Sequence, residues 1–114
     1  MKKKEIVKKS NDFEKIIKNG KCIRNKYFII HYLDNNLEKD RYGISVSKKL
    51  GNAVFRNRYK RKIRSIIDNY KKNYINSKDY IIILRKEAIN IKHHDLQNSF
   101  FDLMNKKERT KNEE

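Results

Sequence analysis

The sequence predicts an α+β fold: a small single-domain α/β sandwich, helices packed on one sheet, in the order α-β-β-β-α-β-α. Three observations lead there. Apolar residues recur at helical spacing in three separate stretches, and runs of β-branched and aromatic residues of strand length lie between them. With 114 residues, 37% of them hydrophobic, the chain has room for one core and none for a second. A domain of this size buries roughly 60–70% of its unfolded surface, and many Ile residues with 11% aromatics supply the apolar mass, which argues against wholesale disorder.

The elements follow in order. Residues 1–9 (MKKKEIVKK) read as a mobile basic arm, with Ile6 and Val7 touching the body. Ser10 or Asn11 caps a first helix over residues 11–19, because Asn11 and Glu14 have capping-box spacing and Phe13, Ile16 and Ile17 recur at helical intervals up to Gly20. A short strand is expected at 21–24 and a longer one at 27–33 (YFIIHYL), followed by a polar loop over 34–40. Residues 41–47 (RYGISVS) form the next strand. Its alternation puts Tyr42, Ile44 and Val46 on one face and Gly43, Ser45 and Ser47 on the other, so that the second face is left open. A basic turn at 48–51 leads to Asn52, the N-cap of a long helix reaching about residue 73. DYIIILR at 79–85 is too short for a core helix and reads as a buried strand. Leu96, Phe100, Leu103 and Met104 support a last helix over 93–106, with 107–114 a charged, frayed tail.

Charge narrows the function. Thirty Lys and Arg against 14 Asp and Glu leave a net charge of +16, and self-repulsion on that scale destabilises the compact state unless a polyanion offsets it. Nucleic acid is the leading partner. The single cysteine, Cys22, cannot form an intrachain disulfide, and no Cys/His cluster suggests zinc, so a reducing cytosolic setting fits and Cys22 takes a core or strand role. Glu5 to Lys9 interrupt any apolar signal-like run, and nowhere do about 18 apolar residues follow one another, so no membrane association is expected. His93 and His94, adjacent at a helix start, have poor geometry for shared metal ligation and are expected in solvent.

The informative segment is GNAVFRNRYKRKIR, residues 51–64. At 100° per residue, Phe55, Tyr59, Ile63, Ile66 and Tyr70 share one arc that can dock on the sheet, while Arg56, Asn57, Lys60, Arg61 and Arg64 gather on a largely opposite stripe. Four of the eight arginines (Arg56, Arg58, Arg61, Arg64) fall within nine residues. Arg is favoured over Lys where a planar fork must hold phosphate, and acidic i,i+4 partners are all but missing between residues 52 and 67. Free backbone N–H groups near Asn52, with Lys48 and Lys49 beside them, add to the same anion site. Phosphate contacts position a nucleic acid without reading its sequence, and recognition of folded RNA by shape suits such a surface.

GNAVFRNRYKRKIR resembles the RNR signature of the bacterial ribonuclease P protein subunit. SVSKK before it, the early helix with Phe13, the strand DYIIILR and the final amphipathic helix all occur in the family's order, so the resemblance covers residues 10–105. It implies a ribonucleoprotein in the cytoplasm that removes the 5′ leader from precursor tRNA, in which a large RNA carries the catalytic centre and its Mg²⁺ and this chain contributes no catalytic residue. The expected partners are that RNA and precursor tRNA, with no obligate protein partner. By the resemblance, Arg56, Asn57, Lys60, Arg61 and Arg64 face the catalytic RNA, and a cleft between the first helix and the sheet holds the single-stranded leader; Lys48, Lys49, Asn52 and Arg58, on the same basic surface, complete the expected RNA-binding set, and Phe13, Ile17, His31, Ser45 and Ser47 are the expected cleft residues. Periodicity alone would place Phe13 in the core; the resemblance makes it a stacking surface. This chain has Ile17 and His31 where many members carry aromatics. The implied fold is a ribosomal-protein-like α+β sandwich with a left-handed βαβ crossover, where general rules favour the right-handed one.

A ribosomal or ribosome-assembly RNA-binding protein would share the charge and size; the ordered SVSKKLGNAVFRNRYKRKIR run distinguishes the two. A self-sufficient metal-dependent nuclease would need converging carboxylates, and Asp12, Asp34, Asp40, Asp68 and Asp79 are scattered over different elements.

Overall fold

In a computed structural model, residues 6–7, 10–71 and 77–113 are described, apart from the side chains of residues 10, 11, 71 and 107–113. Helix α1 (Ser10–Asn19) is followed by strands β1 (Lys21–Arg24), β2 (Phe28–Asp34) and β3 (Arg41–Ser45), helix α2 (Ala53–Lys71), strand β4 (Lys78–Leu84) and helix α3 (His93–Glu113). The order α-β-β-β-α-β-α is the one expected. The sheet order is β1-β2-β4-β3, with β1–β2 and β2–β4 antiparallel and β3–β4 parallel. A parallel pair needs a crossover, and α2 supplies it.

Pleat alternation gives the sheet two different faces. Phe28 and Ile30 of β2, Tyr42 of β3 and Tyr80, Ile82 and Leu84 of β4 pack with Tyr59, Ile63, Ile66, Ile67 and Tyr70 of α2 and Leu96, Phe100, Leu103 and Met104 of α3. This is the main core, where each fully buried Ile or Phe contributes roughly 1.5–3 kcal/mol. Tyr42 stacks on Tyr80 with ring centroids 5.1 Å apart, and Phe28 meets Phe100 edge-on at 5.6 Å. The other face carries a smaller cluster: Val7, Ile16 and Ile81, with Phe13, Leu33 and Ile83 against it. The helices therefore lie on both faces, α1 on one and α2 with α3 on the other.

Local chemistry explains the ends of the elements. Asn52 Oδ1 accepts from the Phe55 N–H at 3.0 Å, the N-cap expected for α2. Gly20 ends α1 where a Cβ would stand 2.4 Å from the Tyr32 carbonyl and 2.5 Å from that of Ile16, so helix and strand can approach this closely only there. Asn25 shapes the β1–β2 turn, accepting from the Tyr27 and Phe28 N–H groups and donating to Ser99 of α3. Asn36 takes a positive φ of 58° in the 34–40 loop, a conformation Asn tolerates.

Some boundaries differ from expectation. Strand β3 stops at Ser45, because Ser47 turns to accept from the Lys49 N–H and caps a 3₁₀ turn over Lys48–Leu50. Helix α3 runs through Glu113, past the expected end at 106, since nothing from 107 to 113 is Gly or Pro. Val7 is buried and donates to the Tyr42 carbonyl at 3.0 Å, and Ile6 bridges Tyr42 in parallel, covering the edge of β3. The rest of the expected arm, residues 1–5 and 8–9, lies outside the described residues, as do the side chains of the expected α1 cap and the expected α2 end at residue 73. Cys22 sits on β1 and is exposed, a strand position outside the core.

An ion network closes the end of the sheet near the 34–40 loop. Arg41 grips Asp79 with two bonds, Nε to Oδ1 at 2.8 Å and Nη2 to Oδ2 at 2.6 Å, and Asn35 Nδ2 donates to the same Asp79 Oδ1 at 3.0 Å. Lys78 pairs with Asp34, and its N–H donates to the buried Asp40. Asp79→Ala would leave the Arg41 fork and the Asn35 amide without their shared acceptor. The expected cost is about 3 kcal/mol, the low end for a broken buried pair because Arg41 keeps contact with water. Urea unfolding at neutral pH measures it; a loss under about 1 kcal/mol would show the pair behaving as a surface one.

Candidate nucleic-acid interface

Helix α2 divides as its 3.6-residue period requires. Tyr59, Ile63, Ile66, Ile67 and Tyr70 are buried, and Phe55 is half-buried against Tyr59. Asn57, Arg58, Arg61 and Arg64 are exposed on the other side, with Arg56 and Lys60 half-buried at its margin. The buried arc matches the one read from the sequence, with Ile67 added. None of these arginines, nor Lys60, enters the ion pairs of the described residues, which join Arg41 to Asp79, Lys78 to Asp34 and Arg85 to Glu87. The Arg56 Nε is shielded from solvent and has no hydrogen-bond partner among the described residues. Lys62, in the same run, lies over the Tyr59 ring at 4.7 Å and belongs to the flank of the core rather than to the stripe.

The helix start continues this surface. Lys48, Lys49, Asn52, Ala53 and Val54 are all exposed, and the first turn of α2 holds no acidic residue. Gly51 fits here because a Cβ would stand 2.5 Å from the Phe55 ring. An exposed helix N-terminus flanked by lysines and followed by arginines that enter no ion pair of the described residues has the charge and free N–H groups that suit an anion.

The expected cleft residues lie on the opposite face of the sheet. The register aligns Gly43, Ile81, His31 and Cys22 in one row across it, and Ser45, Ile83, Ile29 and Arg24 in the next. The ring of Phe13 lies over Gly43, where a Cβ would be 2.6 Å from Phe13 Cζ and 2.9 Å from Ile81 Cδ1. Phe13 is thus half-buried: one side of its ring packs on the sheet, as periodicity suggested, and the rest stays accessible. Ile17, one turn later, is 44% exposed. His31 and Ser45 are half-buried on this face, whereas Ser47 is exposed beyond the end of β3, its hydroxyl engaged as a cap. Ile29 and Ile83, half-buried between His31 and Ser45, were missed by sequence reasoning, which read the Ile run of β4 as wholly buried; alternation along β4 was the available signal.

His31 is held neutral at pH 7. Burial is the larger cause and the positive charge of Arg24 the second, both lowering its pKa from the ordinary imidazole value, and its Nδ1 is buried with no hydrogen-bond partner among the described residues. A neutral imidazole can stack without adding charge.

Carboxylates do not converge. Asp79, Asp34 and Asp40 are engaged by Arg41, Lys78 and the Lys78 N–H, and among the described residues no group of three or more His, Cys, Asp or Glu could hold a metal ion. His93 and His94 are exposed at the start of α3. The described residues set exposed cations on one side of the sheet and half-buried apolar side chains on the other.

The family model for ribonuclease P matches residues 1–108. The chain belongs to the ribonuclease P protein family. Among curated relatives in that family, the ribonuclease P protein component of Mycoplasma mycoides subsp. mycoides SC is 45% identical over 105 residues, covering 91% of this chain and 96% of the relative. That of Bacillus cereus is 41% identical, covering 87% of each. A solved structure of a Staphylococcus aureus RNase P protein mutant with defective mRNA degradation activity superposes with a TM-score of 0.86 at 37% identity, covering 93% of this chain and 90% of that one. The RNase P protein from Thermotoga maritima gives 0.80 at 29% identity, covering 87% and 94%.

The depressed pKa of His31 has a readable consequence. As pH falls, the imidazole of the unfolded chain takes up its proton first, near pH 6.5. Stability from this group is therefore complete above about pH 6.5 and declines as pH drops from there toward the lower folded pKa. NMR titration of the imidazole protons should give a midpoint below the ordinary value, raised but not fully restored in Arg24→Ala because burial is the larger cause. A wild-type midpoint at the ordinary value would contradict the placement of the ring.

Proposed function

We propose that the chain is the protein subunit of ribonuclease P, binding the catalytic RNA through the α2 stripe and the 5′ leader of precursor tRNA in the α1–sheet cleft. The observation that carries this reading is the face of α2: arginines without acidic partners among the described residues, on a helix whose other side is core, in a chain of the ribonuclease P family. The enzyme is the holoenzyme; the chain is its protein component.

The division of labour follows from chemistry. Guanidinium forks of Arg56, Arg58, Arg61 and Arg64 bind phosphates in pairs of parallel hydrogen bonds, while Lys48, Lys49 and Lys60 add charge and Asn52 and Asn57 neutral polar contacts. Phe13, Ile17 and His31 face a groove in which single-stranded bases lie on flat or apolar surfaces, and Ser45 and Ser47 supply hydroxyls near its β3 side. Mg²⁺ supplies stabilisation of phosphate charge and activation of water, and in this reading the RNA holds it. Residues 10–106 are the RNA-binding domain, with the basic residues of 1–9 and 107–114 adding diffuse attraction to phosphate. No helix of the described residues is long and apolar enough to cross a membrane, in keeping with a cytoplasmic ribonucleoprotein.

Adding the chain to a bacterial ribonuclease P RNA at low Mg²⁺ should restore cleavage of precursor tRNA at the mature 5′ end, with no cleavage by the protein alone. Tight RNA binding without stimulation across several such RNAs would turn the reading toward a ribosomal protein, and protein-only cleavage would reveal a hydrolytic site in the chain.

Arg61→Ala with Arg64→Ala should leave circular dichroism and the melting point nearly unchanged, within about 0.5 kcal/mol per site. Affinity for the catalytic RNA should fall, and the salt dependence of log K should flatten by roughly 0.9 per lost phosphate contact on duplex. An unfolded double variant would contradict their placement on the outer face.

A further inference from the structure

Strand β1 is one edge of the sheet, yet it presents a cation to the cleft. Its pairing with β2 sets Cys22 opposite His31 and Arg24 opposite Ile29, with Ile23 turned toward the main core. The row Arg24, Ile29, Ile83, Ser45 therefore crosses all four strands. With strands about 4.8 Å apart, it is roughly 14 Å long.

Helix α1 leaves this row partly open. Phe13 packs over Gly43 and Ile81 in the neighbouring row, where Ile81 is fully buried, whereas Ile29 and Ile83 are only half-buried. The result is a narrow apolar strip with a hydroxyl at the β3 end, three residues before Lys48, and a guanidinium at the β1 end. Arg24 is exposed and takes no part in the ion pairs of the described residues. Its field reaches the cleft, since it is felt at His31.

A single strand held without sequence readout needs a platform for bases and cations for its backbone. The platform is offered by Phe13, Ile29 and Ile83, with exposed Ile17 one helical turn after Phe13; the exposed Lys48 and Lys49 follow Ser45 in the chain at its β3 end. We propose that Arg24 is a positioning residue for the leader, holding a phosphate at the β1 edge while a base lies on Ile29 and Ile83. This rests on the reading of the cleft as the leader site. A guanidinium fork suits a phosphate, although a charge on an edge strand also blocks edge-to-edge association, so the experiment must separate these roles.

The test uses holoenzyme reconstituted with a bacterial ribonuclease P RNA, carrying wild-type chain, Arg24→Ala, Arg24→Lys or Phe13→Ala. Affinity is measured for mature tRNA and for precursors whose leaders are shortened stepwise from the 5′ end. Arg24→Ala should weaken leader-bearing precursors about three- to tenfold, flatten the salt slope by roughly 0.7, and leave mature tRNA and the shortest leaders unaffected; Arg24→Lys should recover part of the loss. Equal loss for mature and precursor tRNA, or self-association of Arg24→Ala with leader affinity intact, would overturn the assignment. Loss of leader discrimination in Phe13→Ala alone would remove Arg24 and keep the cleft, whereas discrimination intact in both variants would remove the cleft reading itself.

Discussion

Strand β4 is enclosed on both edges and both faces, and the rest of the molecule is arranged around that enclosure. Its Tyr80, Ile81 and Ile82 have no exposed surface, although neighbours along a strand point to opposite sides. Both faces must therefore be covered: α2 and α3 lie over Tyr80 and Ile82, and α1 with Val7 lies over Ile81. The edges are closed by β2 in antiparallel and β3 in parallel register. Because β3 precedes β4 and runs parallel to it, the chain must cross over the sheet between them. The crossing helix is α2, whose apolar arc is consumed by the main core, so Arg58, Arg61 and Arg64 between those apolar positions turn to solvent and Arg56 lies half-buried at the margin.

Charge is distributed in two separate ways. Acidic side chains at the 34–40 end of the sheet serve internal contacts: Asp79 with Arg41 and Asn35, Asp34 with Lys78, Asp40 with the Lys78 N–H. The α2 stripe has no such partners among the described residues. This separation keeps the positive field of the stripe free to attract a polyanion, whose binding would relieve repulsion in a chain of net charge +16 and stabilise the fold by linkage. The cleft differs in kind. Its half-buried Phe13, Ile29 and Ile83 leave apolar surface beside His31, whose pKa is lowered, with Arg24 at the β1 end.

Elements with strong local signals were readable from the sequence. Asn52 caps α2 as expected, β1 spans the four expected residues, and Leu96, Phe100, Leu103 and Met104 are all buried on α3. Misplaced boundaries reflect competing local choices: Ser47 prefers to cap the following turn rather than extend β3, and α3 runs on through charged helix formers. Phe13 was ambiguous for a physical reason, since its ring both packs on Gly43 and remains half-exposed.

By itself, the sequence determined the element order and the basic face of α2, because a helical period relates residues only a few positions apart. It also determined the two-sided character of β3, with its Gly and Ser face, through a period of two. Only the tertiary structure decided what lies beside that face. The row from Arg24 through Ile29 and Ile83 to Ser45 joins positions far apart in the chain, and pairing register between distant strands is set by the packing of the whole sheet.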